Sequence, residues 1–290
     1  EQGGLSWTSV GVAEPVGDDE AVRIAMRELA SASPGSAEVR YVDGHRAVRV
    51  LEEIAPPEPH PEEVFHDGST WLISGGAGGL GRLVAAELAR RCRARLVLVG
   101  RRLVDRGILD FCRELEALGG RARYARADLT DPVAVRSAVE EAARRFGPLQ
   151  NVLHLAGGST AGLVRGADDD MLRGSWAAKV EGAVALDEAT RDQPLERFTL
   201  FSSSSAYVGA PGQAAYAATN RALGEFAHLR NEEARAGRCR GRTQSLIWPV
   251  WEDGGITLDD WGRDHLRKVT GLVPLPTRTG LDAMGAALAS

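Results

Sequence analysis

Between residues 67 and 290, short strand-like runs, with Leu96–Val99 continuously apolar, alternate with longer segments in which apolar residues return every three or four positions. The runs fall at 71–74, 95–100, 121–127, 150–155, 198–203 and 243–248, the last stopped by Pro249. The periodic segments fall at 81–92, 109–118, 132–146 with a proline near its start, 171–190 as one long or broken helix, and 214–236. An unbroken apolar run suits a strand covered on both faces, and the longer periodic segments suit amphipathic helices. Strand and helix in repeated alternation predict an α/β fold, a doubly wound parallel sheet of Rossmann-like type. In such sheets ligands gather at the carboxyl ends of the strands, near the point where the winding reverses.

Before residue 67 the rhythm differs. Residues 5–12 suit a strand and 18–32 a helix, with Asp18 as its cap and Ala21, Ile24, Ala25 and Leu29 at helical spacing. The sequence Ser33-Pro34-Gly35-Ser36 stops that helix. Runs at 39–42 and 47–51 alternate apolar and polar residues around Asp43-Gly44, a strong hairpin signal. A proline-rich linker follows at 55–62, and residues 1–4 suit a frayed end. Residues 1–66 therefore read as a truncated structural subdomain plus linker without a catalytic constellation, and 67–290 as the catalytic subdomain.

Composition narrows the possibilities. The 290 residues are 43% hydrophobic, enough for a sizeable core, and carry a net charge of −5 with both signs interspersed. No basic footprint for nucleic acid stands out, and no apolar run is long enough to span a membrane. No signal peptide is expected, and the three cysteines (Cys92, Cys112 and Cys239) have no metal-binding spacing, so reduced thiols in a cytoplasmic setting are expected. His60 and His66 have no partner at metal-ligating spacing either.

Candidate chemistry falls at the strand ends. The run at 71–74 passes into Gly75-Gly-Ala-Gly-Gly-Leu-Gly81 and then a helix, the order that builds a phosphate cradle at a helix N-terminus. Gly76, Gly79 and Gly81 occupy positions where a side chain would block the turn or the pyrophosphate. Alone, such a loop is equally a flexible turn. Arg101 and Arg102 end the second run, where an acidic residue would suit a ribose 2′-hydroxyl; arginine suits a 2′-phosphate, or is a solvated surface pair. Asp128 ends the third run, as an adenine contact, as the cap of the 132–146 helix, or both. Ser203 ends the fifth, Tyr216 lies thirteen residues on, and Asn220 falls four later on the same helical face. A tyrosine, with an ordinary pKa near 10, needs help to hand over a proton near neutral pH. An ammonium about 4 Å away supplies up to ~4 kcal/mol at an effective dielectric near 20. Lys179 is the available cation, although by itself it reads as an exposed helix lysine. Tyr207, with Pro211 four residues on, reads as packing, as do Trp248 and Trp251; His154 reads as a hydrogen-bonded core histidine; and Ser202, Ser204 and Ser205 read as loop hydroxyls.

Together these residues resemble the ketoreductase domains of modular type I polyketide synthases, a branch of the short-chain dehydrogenase/reductase superfamily. The resemblance rests on the glycine loop, Gly100-Arg-Arg102, Ala127-Asp-Leu129, His154-Leu-Ala-Gly157, Lys179-Val-Glu-Gly182, Phe201-Ser-Ser203, the stretch from Gly212 through Tyr216 to Asn220, and Trp248-Pro-Val-Trp-Glu-Asp-Gly-Gly255. Most of the superfamily places a lysine four residues after the tyrosine. This branch has asparagine there and draws the lysine from an earlier helix, as here. The wording of 248–255 is most similar to the trans-acyltransferase assembly lines. The resemblance implies Lys179, Ser203, Tyr216 and Asn220 as catalytic residues and NADPH as cofactor. It places cofactor contacts at Gly75, Gly76, Gly78, Gly79, Leu80, Arg101, Arg102, Asp128, Leu129, Ala156, Gly157, Lys179, Tyr216, Pro249 and Val250. It places substrate or lid contacts at Gln213, Trp251 and Gly254, within a lid over 251–271, and no metal. The implied reaction reduces the β-keto group of a chain on an acyl carrier protein, among neighbouring synthase domains. The alternatives are a catalytically silent scaffold for carrier-protein docking and an α-keto-acyl reductase of a peptide-polyketide hybrid line. The front segment resembles the second half of the family's structural subdomain, its first half absent. Two family markers of hydroxyl configuration are missing: Leu-Asp-Asp is replaced by Ser159-Thr160-Ala161, and a tryptophan eight before the tyrosine by Val208. Asp168-Asp169-Asp170 reads as a helix start, acids at the positive end of the dipole.

Overall fold

The computed structural model describes residues 8–31, 37–48, 50, 52–53, 64–158, 169–208, 212–256 and 258–289. The frayed end at 1–4, the helix stop at 33–36, the linker at 55–62 with His60, the marker at 159–161, Asp168 and Pro211 lie outside the described residues. The chain divides into two compact units, Glu1–Pro57 and Glu58–Ser290.

The first unit contains strand β1 (Thr8–Val12), helix α1 (Asp18–Ala30) and strands β2 (Ala37–Val42) and β3 (His45–Val48). β1 pairs parallel to β2, and β2 turns back into β3. The expected hairpin forms: Asp43 and Gly44 take φ of 50° and 76°, the left-handed pair that a two-residue turn between twisted strands requires. Ile24 packs on Val39 and Tyr41. Beside them the Glu28 carboxylate accepts from Tyr41 Oη at 2.7 Å and from Arg46 Nε and Nη2 at 2.7 and 2.8 Å. The hydrogen bonds from Arg46, then from Tyr41, hold the Glu28 carboxyl down to about 2. Two expectations fail in α1. Its N-cap is Gly17, with Asp18, Asp19 and Glu20 in the first turn, where acids meet the helix dipole without capping it. Leu29 is exposed, as are Ala21 and Ala25: among the described residues Ile24 and Glu28 are the ones α1 buries.

The second unit runs β4 (Thr70–Ser74), α2 (Gly79–Cys92), β5 (Arg95–Gly100), α3 (Arg106–Ala117), β6 (Arg121–Arg126), α4 (Pro132–Phe146) and β7 (Asn151–His154). It continues with α5 (Asp169–Trp176), a π-helical turn (Ala177–Glu181), α6 (Gly182–Ala189), β8 (Arg197–Ser203), α7 (Ser205–Val208), α8 (Ala214–Arg235), β9 (Arg242–Trp248), α9 (Asp260–Thr270) and α10 (Thr277–Leu288). The six strands are all parallel, in the order β6-β5-β4-β7-β8-β9. The winding therefore reverses between β4 and β7, which opens a crevice at their carboxyl ends.

Strand alternation fills both faces. Trp71 and Ile73 of β4 with Leu96 and Leu98 of β5 meet α2, α3 and α10 through Leu88, Phe111 and Met284. Leu72, Val97 and Val99 point the other way, onto Val139, Leu186 and Leu223 of α4, α6 and α8. The sequence reading assigns no element to the α10 segment; Leu281, Met284 and Leu288 bury it beside the first cluster. Asp131, not Asp128, caps α4, accepting from the Val133 and Ala134 amides at 3.0 and 3.1 Å. The 171–190 helix is broken by the π turn. No helix among the described residues is long and apolar enough to cross a membrane.

Candidate active site

The glycine loop leaves β4 and packs as a compact turn. Gly75 takes φ +70°, and a Cβ there would lie 3.0 Å from the backbone of Ala156 in the loop after β7. A Cβ on Gly81 would overlap the Gly75 carbonyl oxygen. The sequence folds this way because only glycine lets strand, turn and first helical turn approach so closely. Gly78 is the N-cap of α2 with no side chain to satisfy the first amides, and no acid occupies the first turn. An exposed helix N-terminus with unsatisfied N–H groups and a positive dipole end fits a pyrophosphate.

Arg101 and Arg102 follow β5 and are exposed. Arg102 pairs with Asp105 at 3.7 Å, whereas the Arg101 side chain has no ion-pair partner among the described residues. Asp128 accepts from the Thr130 amide at 3.0 Å and its hydroxyl at 2.8 Å. These bonds, with nearby Arg101, hold its carboxyl below the usual range. Leu129 is buried and packs against Gly182. The cradle and the cleft between β4 and β7 together fit a dinucleotide, with the exposed Arg101 at the end of β5 beside them.

On the other side of the crevice, Lys179 is the centre. It sits in the π turn, is 5% exposed, and donates from Nζ to the Phe201 carbonyl oxygen of β8 at 2.8 Å. Its ammonium lies 5.8 Å from the centroid of the Tyr216 ring. Burial pushes the Lys179 pKa down to about 8. Far from an exposed helix lysine, this is an ammonium kept in the interior by one carbonyl and one aromatic ring, at the cost of desolvation. Asn220, one turn after Tyr216, donates from Nδ2 to the Tyr216 carbonyl at 2.7 Å, and its own carbonyl accepts from Ser202 Oγ at 2.9 Å. Asn220 Oδ1 is buried without a hydrogen-bond partner among the described residues. Ser203 ends β8, and its Oγ accepts from the Ser205 amide and hydroxyl at 3.3 and 3.1 Å. Lys179, Tyr216 and Asn220 thus form one connected group, with Ser203 on the adjoining strand end.

The segment after β9 closes the crevice. Pro249 and Val250 are half-buried, and the Val250 carbonyl accepts from the Leu275 amide at 2.7 Å. Trp251 is buried edge-on to Trp248 at 5.1 Å, and a Cβ on Gly280 would lie 2.5 Å from its ring, so Trp251 anchors the segment in the core. Past it, Gly255 crosses the glycine loop: a Cβ on Gly79 would lie 2.7 Å from Gly255 Cα. Gly254 packs on Trp251, and Gln213 is the N-cap of α8. The expected 251–271 lid contains α9, where exposed Trp261 stacks on His265. His154 is the buried, hydrogen-bonded histidine the strand pattern suggests. Its partners are Ser74 and the Lys179 carbonyl; sequence reasoning gave Ser74 no part in the site, and its one signal is its place directly before the glycine loop.

Known proteins agree with this architecture. A KR domain family profile matches residues 69–253. Polyketide synthase PksL of Bacillus subtilis is 34% identical over 252 residues, 87% of this chain and 6% of that protein. Polyketide synthase ThaG of Burkholderia thailandensis is 36% identical over 233 residues, 80% of this chain and 4% of its own length. The chain thus spans a small fraction of these relatives. Among solved structures, a ketoreductase domain from the bacillaene assembly line superposes with a TM-score of 0.82 at 30% identity, covering 97% of this chain and 67% of that one. The ketoreductase from the first module of phoslactomycin biosynthesis in Streptomyces sp. HK803 superposes with a TM-score of 0.83 at 32% identity, covering 97% and 62%. With this match over the sheet, the glycine loop and the site, the chain belongs to the ketoreductase (KR) domain family of polyketide synthases.

Proposed function

We propose that this domain reduces the β-keto group of an acyl chain held on an acyl carrier protein to a β-hydroxyl, using NADPH. The observation that carries the reading is the buried Lys179 ammonium, fixed on the Phe201 carbonyl and 5.8 Å from the Tyr216 ring centroid. A protein keeps a charged lysine in its interior at a cost, and a site that moves a proton at a tyrosine is a reason to do so.

The amides at the α2 N-terminus, from Gly78 through Leu80, would hold the pyrophosphate, and Arg101 the 2′-phosphate. Ala156, Gly157, Pro249 and Val250 would line the remainder of the cleft. When bound, the cofactor supplies a hydride to the carbonyl carbon. The chain's own residues do the rest. Tyr216 gives its phenolic proton to the carbonyl oxygen as charge develops there. Lys179, charged and immobile, stabilises the phenolate left behind. Ser203, whose oxygen accepts from Ser205, donates its own O–H to the same carbonyl oxygen. Asn220 Oδ1 is an acceptor that would hold a water, through which the proton lost by Tyr216 would be returned to its phenolate while Lys179 stays charged. The crossing of Gly79 and Gly255 supports a segment that excludes bulk water from this exchange.

The test is loss of NADPH absorbance with a β-ketoacyl thioester or a cyclic ketone, followed by analysis of the alcohol formed. Turnover is expected. Tight NADPH binding without turnover on any ketone would support a silent scaffold instead, and turnover confined to α-keto thioesters would move the substrate class to a hybrid line.

A further inference from the structure

The two partners of the buried His154 ring fix its protonation. Nε2 lies 2.8 Å from the Lys179 carbonyl oxygen, which only accepts, so Nε2 carries the proton. Nδ1 lies 2.6 Å from Ser74 Oγ and must accept from that hydroxyl. The Ser74 oxygen in turn accepts from the Ala156 amide at 3.2 Å. Burial pushes the His154 pKa down to about 4, so the ring is neutral over the working range. One directed chain of hydrogen bonds thus runs from the loop after β7, through the last residue of β4, to the backbone of the π turn.

The position of that backbone matters. At the end of the π turn the Gly182 amide reaches both the Ala177 and the Lys179 carbonyls. A π turn is less stable than continuous α-helix and persists where outside contacts hold it. Lys179 has three such contacts. His154 takes its carbonyl, the Phe201 carbonyl takes its Nζ, and Gly157 lies against its stem so closely that a Cβ there would be 2.7 Å from Lys179 Cγ and Cε. Gly182 completes the packing: a Cβ there would lie 3.4 Å from His154 Cε1.

We propose that Ser74 and His154 are positioning residues for the reduction: the His154 Nε2–H grips the Lys179 carbonyl and holds the π turn in the register that sets the ammonium beside Tyr216. This rests on the roles proposed above for Lys179 and Tyr216. The ordinary alternative is a core histidine that merely satisfies its own ring nitrogens.

Three substitutions separate the two. The amide nitrogen of His154→Gln reaches the place of Nε2, that of His154→Asn stops near Nδ1, and His154→Leu keeps volume without a donor. For a displacement of about 1 Å at Lys179, kcat should fall about 30- to 100-fold in the Asn and Leu variants and less than about threefold in Gln, with ketone KM and NADPH Kd within about twofold throughout. Amide exchange over 177–182 should quicken about tenfold or more in Asn and Leu and not in Gln. Ser74→Ala, which leaves the Nε2 donor unoriented, should fall between. If Leu does not fold, the Asn and Gln pair decides alone. A Gln variant as slow as Asn, or a fall in kcat with unchanged exchange at the turn, would overturn the proposal. Absence of turnover in the unmodified domain would sink the reductase reading, while the exchange comparison would still decide whether His154 holds the turn.

Discussion

Lys179 Nζ donates to the carbonyl oxygen of Phe201 at 2.8 Å, and this bond ties the π turn to the end of β8. Burial lowers the lysine to about 8, so its charge changes within a range that kinetics can reach. The direction follows from the proposed role. The protonated form stabilises the phenolate, so activity is present below about 8 and is lost as pH rises through it. The expected kcat/KM for reduction is level between about pH 6 and 7 and falls towards a tenfold loss per pH unit above about pH 8.5. Lys179→Met should lose most of the rate and this alkaline limb with it. A limb that stays in place in the Met variant would assign it to another group.

Tyr216→Phe keeps the ring that Lys179 faces and removes only the hydroxyl. Reduction should fall about 10²- to 10⁴-fold, the usual size of general acid catalysis. NADPH affinity, read by fluorescence titration, should move less than about twofold, because the Asn220 amide bonds the Tyr216 backbone and not the phenol. A variant that keeps more than about a tenth of the rate would remove Tyr216 as proton donor.

Arg101 stands exposed at the end of β5, near enough to Asp128 to help hold that carboxyl in its charged form. Arg101→Ala should weaken NADPH about 10- to 100-fold, the range of a charge-assisted contact of ~1.5–3 kcal/mol, and leave NADH nearly unchanged. Equal losses for the two cofactors, measured side by side, would take the 2′-phosphate away from this residue.

Much of the sheet was legible because its strands are covered on both faces. Runs such as Leu96-Val97-Leu98-Val99 have few readings other than a buried strand, and β5 begins and ends where its pattern does. The hairpin at Asp43-Gly44 was legible because its turn demands two left-handed residues. The π turn was not: Ala177-Ala-Lys-Val-Glu181 is ordinary helical sequence, and what distorts it comes from Phe201 and His154, distant in the chain. Ser74 escaped notice for the same reason, since its partner His154 is 80 residues away. The burial of Lys179 was equally hidden. Its proposed role came from a resemblance, and only the folded chain brings its ammonium to the tyrosine ring. Asp18 and Asp128 misled as caps because an acid near a helix start reads as a cap while local sequence does not fix the residue at which the helix begins; the structure places Gly17 and Asp131 there.

Gly79 offers a test of how the segment after β9 is held. It is the first residue of α2, and alanine at an ordinary helical position gains up to ~1 kcal/mol over glycine. Here the new Cβ would lie 2.7 Å from Gly255 Cα and 2.8 Å from Gly255 N, backbone atoms that do not swing aside as a side chain does. The gain in helix propensity and the steric conflict therefore act on different parts of the molecule. Gly79→Ala should leave the melting temperature of the domain unchanged or slightly raised. Amide exchange over 251–256 should quicken about tenfold or more as Gly255 is pushed off the glycine loop. NADPH should bind about tenfold more weakly through partial loss of cradle and cover together. The Trp251 anchor, seated on Gly280 and Trp248, should hold the segment's base in place, so exchange at 248–250 should stay as it is. If affinity falls while exchange at 251–256 does not change, the loss belongs to the phosphate cradle alone, and the contact with Gly255 does not hold the segment down.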